Sequence, residues 1–376
     1  MTALRAGRHG DAREALTRLV RTSRPDASVW IALAMAHRGL GDGAAALGCI
    51  DAALALEPRS LRALILKGDL FAEADDSRAA VSFYRSALRQ ATAGAPADLA
   101  PELRRIQAAV DANAREYQAH LLAALRERGY DPGGSSRAFT QSLDLLAGRG
   151  RIYVQEPRFY YFPELPQKAF YERDAFPWAP ALEAAFPAIR EELGALLADG
   201  ARFTPYVERP KDRPATDGQG MIDSTDWTAF FLWKAGEPVP ENAIRCPRTV
   251  AAVEQLPLYR VPGRTPNVLF SRLTPGAHIP PHTGFINTRL ICHLPIFVPE
   301  GCGFRVGAET RPWREGQLLA FDDTIEHEAW NRGASDRTVL IFDIPRPELS
   351  AEEHALVTAL FAAVDTFGEA PAWDAA

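Results

Sequence analysis

Small and apolar residues recur with a period of 34 positions in the first 95 residues of this chain. Two successive units align at five positions each: Trp30, Ala34, Ala46, Ile50 and Ala53 with Leu64, Gly68, Ala80, Tyr84 and Ala87. A partial earlier unit contains Ala12 and Leu16. Small residues at a fixed period are typical of paired helices that approach closely and stack on their neighbours. The pattern therefore predicts an α-helical solenoid.

A proline follows the second helix of a unit, at Pro25 and again at Pro58. With the period of 34, this resembles the tetratricopeptide repeat, a helix–turn–helix unit. The alternative is an alanine-rich helical bundle whose spacing is accidental, and the five matching positions favour the repeat. Two to three repeats are near the minimum for stability, so we expect the next helix to cap the array.

A long helix is predicted after the repeats, over residues 103–128. Its apolar residues stand at helical intervals: Leu103, Ile106, Val110, Tyr117, Leu121 and Leu125. The stretch DPGGSS at 131–136 predicts a loop and the domain boundary. We expect helical repeats over residues 1–95, a capping and linking helix over 96–136, and a second domain over 137–376.

The second domain is predicted to begin with helices and to continue as strands. Residues 142–146 have a helical pattern, and so have residues 178–198, where Pro187 starts a second helix. Such helices commonly pack on the outer sheet of a jelly roll. A strand is predicted over 223–233, a short helix over 248–256 and a further strand over 267–273.

Short runs of branched and aromatic residues fill the stretch from 271 to 344. RLICHLPIFV, GFRV, QLLAFD and TVLIFDI are separated by Gly, Pro, Asn and Asp clusters at intervals of about ten residues. This spacing predicts an antiparallel double-sheet barrel of the jelly-roll or cupin-like kind, a double-stranded β-helix. The chain as a whole is therefore predicted to be an α+β multidomain protein, a helical solenoid followed by this barrel with flanking helices.

Composition narrows the classes of partner. The formal net charge of −6 gives no electrostatic reason to expect nucleic acid or an anionic membrane as a partner. The four cysteines show neither a metal-binding CxxC spacing nor a dense disulfide framework. The first residues, MTALRAGRHGDAREAL, lack the apolar core of a signal peptide, and no stretch is apolar enough for a membrane span. We expect a cytoplasmic protein.

Four of the eight histidines lie within the predicted barrel, at His278, His282, His293 and His327. His282 and His327 are spaced so that both can point inward at one mouth of such a barrel. Two neutral imidazoles with open coordination positions are the minimum for oxygen chemistry at Fe(II). The carboxylate that usually completes such a site would stand two residues after the first histidine, where this chain has Gly284. The residues alone leave two interpretations: structural histidines, or a two-histidine iron site with water in the third place.

A resemblance favours the second interpretation. HTGFINTRLICHL at 282–294, FDDTIEHEAWN at 321–331 and the following Arg337 resemble the catalytic domain of the aspartyl/asparaginyl β-hydroxylase family. The resemblance covers roughly residues 142–349 and ends in the motif RPEL. It implies an enzyme that depends on Fe(II), 2-oxoglutarate and O2, and the family itself has glycine in place of the carboxylate ligand.

The resemblance assigns roles to individual residues. His282 and His327 match the two iron ligands, and Arg337 matches the arginine that holds the distal carboxylate of 2-oxoglutarate. Ser271 matches the hydroxyl partner of that arginine, and His293 a residue at the other carboxylate of the cosubstrate. A planar guanidinium suits this task because it holds a carboxylate by two parallel hydrogen bonds.

Two further positions match the family. Trp227 corresponds to an aromatic residue near the cosubstrate, and Arg289 to a position that holds the carboxylate of the substrate. The chain departs from the animal-type enzymes at Ile291, where they have a second arginine. Either Arg289 or Arg272 substitutes for that cation, or 2-oxoglutarate is held more weakly.

Neighbouring polar residues have simpler interpretations. His293 lies in an apolar run and would also suit a buried histidine with satisfied hydrogen bonds. Asp322 and Asp323 predict a turn that orders the approach to His327, and Glu326 and Glu328 are expected to be solvated.

The expected activity is hydroxylation of the β-carbon of an Asp or Asn residue in a protein, peptide or carrier-bound substrate, with release of succinate and CO2. The repeats are expected to recruit that partner through their concave surface. Three alternatives stay open: a repeat-based binding protein whose barrel is catalytically weak or inactive, a hydroxylase of a lipid acyl chain, and a zinc-filled barrel. Zinc would need a third protein ligand, which the sequence does not offer.

Overall fold

The structure is a computed structural model that describes residues 2–91, 96–209 and 220–366. It divides into two compact units, Met1–Arg149 and Gly150–Ala376. The predicted boundary at 136 lies before this division, because the helix Arg137–Leu146 belongs to the first unit. The Tyr130 and Phe139 rings pack edge to face at 5.5 Å, and the Tyr130 hydroxyl lies 3.1 Å from that of Thr140.

The described part of the first unit is helical. Its α-helices are α1 (Thr2–Arg5), α2 (His9–Thr22), α3 (Ala27–Gly39), α4 (Gly43–Leu56), α5 (Leu61–Glu73), α6 (Ser77–Ala91), α7 (Ala100–Arg126) and α8 (Arg137–Leu146). Carboxylates cap three of the repeat helices, since Asp26 accepts from Val29 N, Asp42 from Ala45 N and Asp76 from Ala79 N.

Close packing within each helix pair explains the period of 34. Gly68 on α5 faces Tyr84 on α6, and a side chain at Gly68 would overlap the tyrosine ring. Ala34 and Ile50 are fully buried at the equivalent positions of the preceding pair. The helix α7 covers the last pair with Ile106, so the expected cap is present. The helical solenoid is therefore confirmed.

The second unit combines five α-helices with twelve strands among its described residues. The helices are α9 (Ala179–Ala184), α10 (Phe186–Ala198), α11 (Pro240–Ala243), α12 (Pro247–Glu254) and α13 (Ala351–Thr366). The strands are β1 (Phe170–Tyr171), β2 (Thr204–Pro205), β3 (Trp227–Lys234), β4 (Glu237–Pro238), β5 (Val268–Leu273), β6 (His278–His282), β7 (Arg289–Phe297), β8 (Cys302–Val306), β9 (Glu309–Arg311), β10 (Leu319–Phe321), β11 (His327–Asn331) and β12 (Arg337–Pro345).

These strands form two antiparallel sheets. The larger sheet has the order β1-β10-β7-β12-β5-β3-β2, with β4 pairing to the outer part of β3, and the smaller has the order β6-β11-β8-β9. A core between them joins Phe170, Leu273 and Phe321 of the larger sheet to Phe304 and Ala329 of the smaller. The predicted double-sheet barrel is therefore present.

Helices cover the other face of the larger sheet, as expected. Leu182 on α9, Leu193 on α10 and Val253 on α12 pack against the sheet residues Leu294 and Phe342. Successive side chains on a strand point to opposite faces, so each central strand supplies one row to these helices and one row to the space between the sheets. That second row builds the site.

Candidate active site

A cavity of about 520 Å³ opens in the second unit. All seven residues that the sequence assigns to the site line it: Trp227, Ser271, His282, Arg289, His293, His327 and Arg337. The larger sheet supplies Ser271 from β5, His293 from β7 and Arg337 from β12, whereas β6 and β11 of the smaller sheet supply the other two histidines. The two sheets thus contribute opposite walls.

His282 and His327 lie directly opposite each other on β6 and β11, with ring centroids 4.1 Å apart. The Nδ1 of His282 is 2.8 Å from the carbonyl of Pro280, and that of His327 is 3.1 Å from the carbonyl of Ile325. A carbonyl only accepts, so both Nδ1 atoms carry the proton and both Nε2 atoms keep a lone pair. Burial lowers the pKa of both imidazoles, which favours the neutral form that binds metal.

Packing explains the absence of a carboxylate two residues after His282. A side chain at Gly284 would overlap the carboxylate of Asp323, and the backbone N–H of Gly284 donates to the Asp323 carbonyl at 2.6 Å. Across the described ranges, no three His, Cys, Asp or Glu residues form a group that could hold a metal ion. The histidine pair therefore suits a metal whose other ligands are not protein side chains.

Arg337 is a buried cation without an acidic partner among the described residues. Its side chain is 1% exposed, its Nε has no hydrogen-bond partner, and the guanidinium lies over the Trp313 ring at 4.6 Å. Burial lowers its pKa to about 10, and an arginine still stays charged at neutral pH. Such a charge is costly unless a ligand compensates it, so the site is suited to an anion.

Ser271 is fully buried beside Trp227, whose Nε1 donates to the Ser271 Oγ at 3.1 Å. Because that oxygen already accepts, the hydroxyl hydrogen is available to donate to an oxygen of a ligand. Trp227 is itself held by Tyr206, with stacked rings 4.1 Å apart. The tryptophan therefore orients the hydroxyl and also forms part of the wall.

His293 is held by Trp313, whose Nε1 donates to the His293 Nδ1 at 3.3 Å. Burial, and then the charge of Arg337, lower the pKa of His293 to about 3, so the ring is neutral at pH 7. The proton of the neutral ring is then on Nε2, which makes His293 a hydrogen-bond donor.

Arg289 enters the cavity already paired with acids. It donates to Asp343 at 2.7 Å and lies 3.5 Å from Asp323, so one cation faces two carboxylates. Arg272 does not line the cavity, since it donates to Thr228 and lies 3.8 Å from Asp336. Neither Arg289 nor Arg272 therefore provides an unpaired cation in place of the arginine that animal-type relatives have at the position of Ile291.

The acidic pair at 322–323 forms the expected turn, and each member has its own partner. Asp322 accepts from Arg346 at 2.6 Å in a fully buried ion pair and from the Thr324 hydroxyl. The expectation that Glu326 and Glu328 are solvated is corrected, because both are half-buried and paired with Arg305. The pairing follows from β-sheet register, which puts Arg305 opposite Glu328.

Sequence reasoning missed Trp313 and Tyr206, which hold His293 and Trp227. It also missed Asp343 as the partner of Arg289, and Arg158 at the opening of the cavity. No local signal marks any of the four, because each acts on a residue far away in the chain.

The second unit is similar to known proteins. Residues 183–347 match the family model of aspartyl/asparaginyl beta-hydroxylase. The second unit therefore contains a region similar to this hydroxylase family, on a fold whose cavity holds the expected residues.

Curated relatives include members with different names. The chain is 35% identical over 189 residues to an ornithine lipid ester-linked acyl 2-hydroxylase of Rhizobium tropici. This alignment covers 50% of this chain and 63% of the relative. It is 35% identical over 183 residues to the human aspartyl/asparaginyl beta-hydroxylase, and this alignment covers 48% of this chain and 22% of the relative. The mouse aspartate beta-hydroxylase domain-containing protein 1 is 31% identical over 234 residues, 61% of this chain and 62% of the relative.

Less than two thirds of the length of each of these relatives is matched. Among solved structures, the type III secretion translocator chaperone SycD of Yersinia enterocolitica covers 31% of this chain and 79% of its own, at 12% identity and a TM-score of 0.29. No helix of the described residues has the length and apolar character needed to cross a membrane.

Proposed function

We propose that the second unit is a hydroxylase that uses Fe(II), 2-oxoglutarate and O2. Arg337 carries this proposal: a buried guanidinium with no acidic partner among the described residues lines the same cavity as two histidines with free Nε2 atoms. A dicarboxylate that also binds the metal would satisfy both features at once. The family match supports a hydroxylase, and the cofactors are our inference.

The donor set fits the cofactor and the cosubstrate. His282 and His327 would hold the iron through Nε2, and imidazole is a suitable ligand for it. Arg337 and the Ser271 hydroxyl would hold the distal carboxylate, and the Nε2–H of His293 would donate to an oxygen near the metal. When bound, the iron would allow O2 to act as the oxidant: one oxygen atom would enter a C–H bond of the substrate, and the other would enter the succinate formed from 2-oxoglutarate with loss of CO2.

The protein contributes orientation and exclusion of water. Trp313 stacks on Arg337 and holds His293, so the cation and the donor are fixed relative to each other before a ligand arrives. Ser271 is likewise fixed by Trp227. Preorganised groups of this kind lose little entropy when they bind, and the apolar walls keep water from the reacting carbon.

We propose the β-carbon of an Asp or Asn residue, in a protein, peptide or carrier-bound molecule, as the position that is hydroxylated. The similarity to the human aspartyl/asparaginyl beta-hydroxylase supports this choice. We also propose that the helical repeats of the first unit recruit the substrate, because stacked helix pairs create extended concave binding surfaces.

A second candidate is hydroxylation of a lipid acyl chain. Two observations favour it: the similarity to the Rhizobium tropici lipid acyl 2-hydroxylase, and the apolar Ile291 in the wall where animal-type relatives have an arginine.

The test is an anaerobic titration of purified protein with Fe(II) and then 2-oxoglutarate, monitored by visible absorption. We expect the charge-transfer band of a metal-chelated 2-oxo acid. His327→Ala should abolish the band and Arg337→Ala should weaken it by raising the concentration of 2-oxoglutarate required. No band at high cosubstrate in the wild-type protein would refute the proposal and leave the repeats as the functional part.

A further inference from the structure

Three arginines line the cavity within the described residues, and their partners differ. Arg337 lies deep and is assigned above to the cosubstrate, and Arg289 is paired with Asp343 and Asp323. The third, Arg158, is exposed at the opening of the cavity. No acid pairs with Arg158 in the parts of the chain that the structure describes.

The backbone of Arg158 is fixed beside the metal-binding strands. Its N–H donates to the carbonyl of Gly284 at 3.0 Å, two residues after His282. Neighbouring residues continue this contact, since Phe159 donates to Phe285 at 2.9 Å and Glu156 to Thr324 at 2.7 Å. The segment is thereby tied to the chain next to both histidines, and the position of the guanidinium is not left to a mobile loop.

The guanidinium itself rests on an aromatic ring and lines the cavity. It lies 5.7 Å from the centroid of the Phe285 ring, which supports a cation by its quadrupole. Arg158 and His282 line the same cavity, and the Arg158 backbone is bonded to the residue two positions after His282. An anion held by Arg158 would therefore lie in the cavity that contains the histidine pair.

We propose that Arg158 binds a carboxylate of the substrate at the opening of the cavity and so selects acidic over neutral substrates. The inference rests on the proposed function and deepens it. A carboxylate that entered further would meet Ile291, which is apolar, and Arg289, whose two aspartates outnumber it in charge. Of the three arginines that line the cavity, Arg158 is the one that is exposed to solvent and has no acidic partner among the described residues.

The test uses the anaerobic protein loaded with Fe(II) and 2-oxoglutarate, because a bound substrate alters the visible band. Aspartate blocked as the N-acetyl amide is the probe, and asparagine blocked in the same way is the neutral counterpart. We expect Arg158→Gln to raise the apparent dissociation constant of blocked aspartate about ten- to hundredfold, the range for one charged hydrogen-bonded contact. The constant for blocked asparagine should change little.

Two further variants complete the test. Arg158→Lys should recover part of the loss, since lysine keeps the charge without the two parallel hydrogen bonds. Arg151→Gln is the matched control, because Arg151 is an exposed arginine of the same region that lies 3.3 Å from Glu326. It should bind both probes like the wild-type protein.

This experiment tests the proposed function and the role of Arg158 separately. The band of the wild-type protein before any probe is added tests the proposed function. Equal loss of both probes in Arg158→Gln, or no effect of blocked aspartate on the wild-type band at its highest soluble concentration, would overturn the role of Arg158. So would a wild-type band that responds to a detergent-dispersed acyl lipid and not to blocked aspartate, which would favour the lipid activity.

Discussion

Replacing Arg337 by methionine should make the protein more stable and weaken its binding of 2-oxoglutarate. The reason is that Arg337 is 1% exposed and its charge has no acidic partner within the described ranges. Burial lowers its pKa from 12.5 to about 10, so the cavity disfavours the charged form by about 3 kcal/mol at 1.36 kcal/mol for each pKa unit. Methionine has a similar length and carries no charge.

Part of that gain is offset, because the arginine also lies over the Trp313 ring. A cation–π contact of this kind contributes about 1 kcal/mol. The expected net change is an increase of about 2 kcal/mol in the free energy of unfolding of the ligand-free protein. Equilibrium urea unfolding followed by tryptophan fluorescence suits the measurement, since five of the six tryptophans among the described residues lie in the second unit.

The same titration with ligand supplies the functional half of the test. With Zn(II) as a redox-inert metal, 2-oxoglutarate at a hundredfold excess over its dissociation constant should stabilise the wild-type protein by about 2.7 kcal/mol. At the same concentration it should stabilise Arg337→Met much less. The control is Arg272→Met, on the same sheet but outside the cavity, which should keep the full effect of the ligand. A less stable Arg337→Met, or one that 2-oxoglutarate stabilises as much as the wild-type protein, would refute the reasoning.

Two further substitutions test separate parts of the site. Burial lowers the pKa of His293 to about 3. Below pH 6.5 the unfolded chain therefore binds a proton at this histidine that the folded protein does not bind. The free energy of unfolding is then highest above pH 6.5 and decreases as the pH falls. Urea titrations at pH 6.5 and pH 5 measure this decrease in the free energy of unfolding, which should be about 2 kcal/mol smaller in His293→Gln than in the wild-type protein. An equal decrease in both proteins would contradict the lowered pKa of His293. Gly284→Ala should cost about 1–3 kcal/mol through overlap with Asp323, and Asp323→Ala should relieve most of it in the double mutant. Additive effects of the pair in a double-mutant cycle would contradict this contact.

The sequence predicted the elements whose signal is local. Helices α3 to α6 follow from small residues at helical spacing, and the long strands β7 and β12 from continuous apolar runs. The strands β6 and β11, which carry the two histidines, have no such signal, since HIPPH contains two prolines and HEAWN contains an acid. They exist because they pair with each other, and β11 pairs with β8 as well. Pairing partners of that kind are not encoded in the strand itself.

The site shows the same division. His282, His327 and Arg337 could be predicted because they stand in recognisable motifs, and the cavity brings them together. The state of Arg289 could not, because the partner that neutralises it, Asp343, is 54 positions away and meets it only through the register of β12 on β7. A sequence motif identifies the residue but does not show whether its charge is already paired with an opposite charge in the fold.

Gly284 illustrates how packing, and not one missing residue, decides the ligand set. The Asp323 carboxylate occupies the space that a side chain at 284 would need, and Arg289 lies beside that carboxylate. The backbone of Gly284 is in turn bonded to Asp323 and accepts from Arg158. Restoring an acid at 284 would therefore displace a buried ion pair before it could reach a metal. Packing at Gly284 therefore leaves this side of the histidine pair without a carboxylate ligand, and the proposed reaction needs such open positions for its cosubstrate and oxygen.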